Sequence, residues 1–190
     1  MRELALAAVL VCASGFALPR GLTQEPHPAA AASGTNLKPE IAALAEFAGA
    51  WACKGVFPSN GQSIESRITF APDLEGAWLF VRHDDLPPNR FHAYEVWGYD
   101  SAAKQYSAFI FDNFGGARAF TSPGWSADAL IWTIKPADSS SAPGQRFVFK
   151  REKPAGQFVV NYEVKRGADW KIGDTLTCTR QSADKPSQKR

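Results

Sequence analysis

The chain has 190 residues, 45% hydrophobic and 21% charged, enough apolar mass for the core of one ordinary globular domain. Its formal net charge of +2 excludes the electrostatic footprint of a nucleic-acid binder. At the N-terminus, Arg2 precedes the apolar run Leu4–Val11, and the small residues Gly15 and Ala17 follow. This is the pattern of a secretory signal peptide cut after about Ala17, so the mature chain is expected to be secreted or periplasmic. The run is shorter than the roughly 20 residues of a membrane span and no second run of that length follows, so no integral membrane segment is expected. Cys12 would be the acylated residue of a lipoprotein, but Val11 stands where such cleavage sites carry a small residue. Removing residues 1–17 leaves Cys53 and Cys178, in a compartment that permits a disulfide; the alternative is two buried thiols.

Residues 18–36 are rich in Pro and Ala and read as a flexible leader, so His27 is discounted as a ligand. Asn36 can cap a short helix with Leu37, Ile41, Leu44 and Ala45 on one face, Pro39 in its first turn and Gly49 at its exit. This helix is expected to cross one mouth of the fold that follows. After Gly49 come short alternating or aromatic runs broken by turn residues every eight to twelve positions, the signature of an all-β barrel or sandwich. Strands are predicted at 50–57, 62–71, 76–83, 90–99, 104–112, 116–122, 128–135, 145–151, 157–166 and 174–180. The breaks Pro58–Gly61, Leu86–Asn89, Asp112–Gly116 and Ser139–Gly144 carry turn chemistry and favour an up-and-down meander. No βαβ rhythm or glycine-rich phosphate loop is present, which argues against a nucleotide fold. Residues 182–190 form a polar tail, leaving 37–181 as the domain.

The first and last strands predict their own pairing. In an antiparallel ladder, Cys53 opposite Cys178 sets Trp51 opposite Arg180, so one register satisfies both pairs and closes the sheet into a barrel of about 8–10 strands. Alternation turns Phe158, Val160, Tyr162 and Val164 inward, and Phe147 and Phe149 likewise. Strand Tyr106–Phe111 is apolar on both faces, which leaves its orientation open.

A short helix, then Gly49-Ala50-Trp51 on the first strand, then Arg180 packing on that Trp from the last strand, resembles the lipocalin and wider calycin pattern. Phe47-Ala48-Gly49-Ala50-Trp51, Trp97-Gly98-Tyr99-Asp100 and Gly173-Asp174-Thr175 also resemble a bacterial exported family of unknown function with a lipocalin-like barrel. The resemblance spans about Leu37 to Arg180 and implies an antiparallel barrel around an apolar pocket, with Gly49, Trp51 and Arg180 structural; by itself it implies no chemistry. The stretch Gly49–Gly55 is similar to the opening of nitrobindin-type haem barrels. Those take a proximal His from a late strand, and no His follows His92 here, so no cofactor is assigned.

His83 and His92 flank the Asp84-Asp85 turn and could approach a metal together, but no spacing fixes a tetrahedral site and a solvated hairpin end explains them as well. No Gly-x-Ser-x-Gly elbow exists. Glu95 and Asp112 could serve as acid or base if buried, with Tyr94 or Tyr162 as helper; an outward carboxylate and a turn former are the alternatives. An inward Arg82 or Arg118 would receive an anionic head. Six Trp, 13 Phe and four Tyr supply rigid apolar walls, or simply a filled core. Three functions remain open. The first is an exported protein binding a small apolar or amphipathic molecule through Trp78, Arg82, Tyr94, Trp97, Phe109, Arg118, Trp132, Phe149 and Tyr162. The second is a hydrolase or isomerase on the same barrel. The third is a filled barrel whose two-sided apolar strands form a homo-oligomer contact.

Overall fold

A computed structural model describes residues 37–135, 143–152 and 156–182. The predicted signal peptide and leader, with Cys12 and His27, lie outside the described residues, as do 183–190 of the tail and most of the Ser139–Gly144 turn.

The fold is an all-β, closed, antiparallel ten-strand barrel with one extra strand and a short helical segment. The strands are β1 (Gly49–Phe57), β2 (Gln62–Asp73), β3 (Trp78–Asp85), β4 (His92–Asp100), β5 (Gln105–Asp112), β6 (Ala117–Ser122), β7 (Trp125–Ser126), β8 (Ala129–Ile134), β9 (Gln145–Arg151), β10 (Gln157–Arg166) and β11 (Asp169–Arg180). They form a meander in which β1 pairs with both β2 and β11, and a β6–β8 contact completes the ring. The β1–β11 register sets Trp51 opposite Arg180 and Cys53 opposite Cys178, as the residues predict. The β6–β8 seam is slight, with Phe120 opposite Ile134 and Thr121 opposite Thr133.

Two strands depart from expectation. The last strand begins at Asp169 rather than 174, because its pairing with β10 continues past a register shift at Tyr162/Glu163 as far as Arg166 opposite Asp169. The two-residue β7 is too short to leave a period-two signal.

The expected helix is α1 (Pro39–Ala42) followed by a separate 3-10 turn, Ala45–Phe47. Lys38, rather than Asn36, holds the cap position, without a side-chain bond. The segment still plugs one mouth, because Ile41, Leu44 and Phe47 are buried. Phe47 stacks against Phe70 at 5.3 Å and meets the edges of Trp97, Phe149 and Phe158 at 5.4–5.5 Å. Trp125 of β7 lies parallel to it at 5.8 Å and donates its indole N–H to the Ala43 carbonyl. The Trp51 indole N–H donates to the Phe47 carbonyl at 2.7 Å. Outside, the Arg180 guanidinium lies 4.3 Å from the Trp51 ring and donates to the Glu46 and Ala48 carbonyls. Gly49 permits this with φ +120°, and any Cβ there would sit 2.9 Å from Arg180 Nη1.

The disulfide Cys53–Cys178 joins directly opposed residues of β1 and β11. It closes a loop of sequence separation 125, for which chain entropy suggests about 4–5 kcal/mol. Among the described residues, no helix is long and apolar enough to cross a membrane.

Candidate functional site

At the end opposite the plug the barrel is hollow. A cavity of about 320 Å³ runs from Phe70, Trp97, Trp132 and Phe149, just above the plug, to Phe57, Phe91 and Phe114 beside the β1–β2, β3–β4 and β5–β6 turns. Alternation decides what each strand presents to it. On β3, Val81, His83 and Asp85 point in; on β4, Glu95 and Trp97; on β6, Arg118 and Phe120; on β10, Val160 and Tyr162; on β11, Asp174 and Leu176.

Of the sequence-predicted pocket residues, Trp97, Arg118, Trp132, Phe149 and Tyr162 line this cavity. Trp78, Arg82, Tyr94 and Phe109 do not, because each is an odd number of positions from an inward neighbour on its strand. Tyr94 is three residues from Trp97, so the two cannot share a face. The Trp78 ring instead lies on the outer side of Gly98, where a Cβ would come within 2.2 Å of it. The Arg82 guanidinium lies 4.3 Å from the Tyr94 ring and pairs with Asp84. Phe109 is exposed beside Phe80 and Phe111 on the same outer face.

The same parity divides the two His–Asp pairs of the β3–β4 hairpin. His83 Nε2 lies 3.1 Å from Asp85 Oδ1 inside the barrel, and His92 Nδ1 lies 2.8 Å from Asp84 Oδ1 outside it. Their placement on opposite faces removes the shared metal set considered from sequence. Among the described residues, no group of three or more His, Cys, Asp or Glu converges as a metal site requires.

Inside, the Ser66 hydroxyl donates to Asp85 Oδ1 at 2.7 Å, so this oxygen receives both Ser66 and His83. Glu95 Oε2 accepts the Trp97 indole N–H at 2.8 Å. Burial pushes the Glu95 carboxyl above its ordinary range, against the nearby His83 charge, the Trp97 hydrogen bond and the Arg118 charge. Burial likewise pushes Asp174 from 3.8 to about 6; the nearby His83 charge lowers it and Asp85 raises it. The Tyr162 hydroxyl is raised mainly by burial.

Asp112 is not free for acid–base work. Its Oδ2 accepts Arg118 Nη2 at 2.8 Å, and its Oδ1 accepts the backbone N–H of Phe114 and Gly116, closing the β5–β6 turn. Arg118 Nη1 reaches Gln145 at 3.3 Å, so this guanidinium is largely committed to the wall. Its Nε and the Trp132 indole N–H are buried donors without a partner among the described residues.

His83, Asp85 and Asp174 were not predicted as cavity residues. Stepping back by twos from Cys178 reaches Leu176 and Asp174, and stepping forward from Val81 reaches His83 and Asp85. The parity was therefore legible once one residue of each strand was anchored.

No protein-family model matches the chain, and no curated protein matches it in sequence. Among solved structures, the crystal structure of Rv2717c from M. tuberculosis is similar, with a TM-score of 0.58 at 11% identity over 77% of this chain and 100% of that one. At that identity the likeness concerns the fold, a closed ten-strand antiparallel barrel.

Proposed function

We propose that the chain is an exported, lipocalin-like binding protein that holds a small apolar or amphipathic molecule in its barrel. The observation that carries this is the 320 Å³ cavity, walled by aromatic and aliphatic side chains and carrying a few polar groups toward its loop end. That volume and that mixture suit a small-molecule pocket. The disulfide across the first and last strands supports an oxidising compartment and therefore export. A void of this size among the described residues favours the binding reading over the filled-core alternative.

Titration with the apolar fluorophore N-phenylnaphthylamine tests the reading. Fluorescence should rise in the parent protein and fail to rise in Ile110→Trp, which projects an indole into the cavity. An unchanged signal in the parent, together with a ligand-free mass for protein purified from its own host, would remove the binding proposal. Catalysis is favoured by one observation, the half-buried Glu95 carboxyl on the cavity wall, raised above its ordinary range. In that case Glu95→Gln would abolish turnover of the retained molecule.

A further inference from the structure

Resting on the binding reading, we propose that the cavity selects molecules with an amine head on an apolar body, the ammonium being received by Asp174 and Glu95. The charged groups on the cavity wall are unequal. Three carboxyl groups, Asp85, Glu95 and Asp174, face it together with two bases, His83 and Arg118. Arg118 has its charge offset by Asp112 at 2.8 Å and keeps only its Nε unbonded among the described residues, so it offers less to an anionic head than an unpaired guanidinium would. His83 is engaged by Asp85 at 3.1 Å. Among the described residues, Glu95 and Asp174 have no cation bonded to them, and Glu95 Oε2 takes only the Trp97 N–H.

The strands beside Asp174 add no further cation from within the barrel. β10 contributes Tyr162 opposite it, and β1 contributes the apolar Phe57 at the adjoining end. An independent feature marks the same cavity as incomplete. Trp132 is 1% exposed and lines the wall, yet its indole N–H has no acceptor among the described residues. A buried unpaired donor is costly, and an acceptor on an occupant would relieve it.

A buried carboxyl that holds its proton in the empty cavity gives it up when an ammonium arrives beside it, so amine binding releases a proton to buffer. Isothermal titration of naphthylethylamine, naphthylethanol and naphthylacetate, which share one apolar body, reads this directly. The amine should bind about tenfold tighter than the alcohol, the difference between a charge-assisted and a neutral hydrogen bond. Its affinity should rise with pH through about 6, where Asp174 ionises. Its heat should depend on the buffer's ionisation enthalpy, and the alcohol should show neither effect. In Asp174→Asn/Glu95→Gln the amine preference should fall to about one; if that variant does not fold, the parent's proton release and pH profile decide alone.

Equal binding of all three probes, a preference for the carboxylate, or binding of N-phenylnaphthylamine with none of the three would overturn the amine proposal and leave the binding reading standing. Failure of the fluorophore as well would remove both.

Discussion

The two ends of this barrel use the same strands in opposite ways. At the helical end, Phe47 enters the mouth and the rings of Phe70, Trp97, Phe149 and Phe158 close around it at 5.3–5.5 Å. At the loop end, none of the described residues forms such a plug, and the strands that supply Phe149, Phe158, Trp97 and Cys178 below supply Phe147, Tyr162, Glu95 and Asp174 above. Ten strands make a cylinder too wide for wall side chains alone to fill. One end is completed by a plug from the chain itself. The other keeps a void and collects the ionisable groups, whose burial would otherwise be avoided. Stability therefore resides mainly below, and the proposed recognition above.

Several measurements would break or sharpen that contrast. The largest effect is expected where the ends of the barrel sequence are joined: replacing Cys53 and Cys178 together by Ala should cost about 4–5 kcal/mol in denaturant unfolding. A loss of less than about 1 kcal/mol would mean that the β1–β11 seam holds without its staple. Next, Phe47→Ala empties the plug and should cost about 3–4 kcal/mol, the usual range for a buried aromatic.

The third effect is pH-dependent and belongs to the hollow end. Asp174 titrates at about 6 in the fold against an ordinary 3.8, so the folded chain binds its proton more tightly than the unfolded one. The contribution of this residue to stability therefore falls as pH rises from about 4 to about 6, by about 3 kcal/mol. Asp174→Asn should remove that decline, leaving the variant more stable than the parent at pH 7 relative to pH 4. Parallel pH profiles for the two proteins would contradict the burial of this carboxyl.

A smaller effect compares the two ends by matched enlargement. Leu130→Phe, at a fully buried position beside the plug, should cost about 1–3 kcal/mol by overpacking. Ile110→Phe, on the cavity wall, should cost less than about 1 kcal/mol because the added ring enters empty space. Equal costs would mean that the cavity relaxes closed in solution. The smallest effect is expected on the outer wall. Tyr94→Ala exchanges an exposed ring for a methyl and should stay within about 0.5 kcal/mol while leaving ligand binding unchanged.

Much of the frame was legible because its signals are local or pairwise. Turn residues and period-two runs locate all ten barrel strands, with the largest boundary error at β11. The Cys53–Cys178 and Trp51–Arg180 pairs name the seam and its register. The candidate site was half legible: Trp97, Arg118, Trp132, Phe149 and Tyr162 are recovered, while Tyr94 and Phe109 were chosen for their aromatic character against the parity of their own strands. His83 and His92 illustrate the same point, since nine positions along a hairpin place them near one another in the chain and on opposite sides of the wall.

By itself the amino-acid sequence determined the strands, their order and the closure between first and last, because alternation and one antiparallel register are properties of neighbouring residues. Only the tertiary structure decided which face was inner on the doubly apolar strands, that Phe47 and Trp125 together seal one end, and that Glu95, His83, Asp85 and Asp174 meet in the other. Those outcomes depend on barrel circumference and on side chains from strands far apart in the chain, and no local pattern encodes the volume left at the centre.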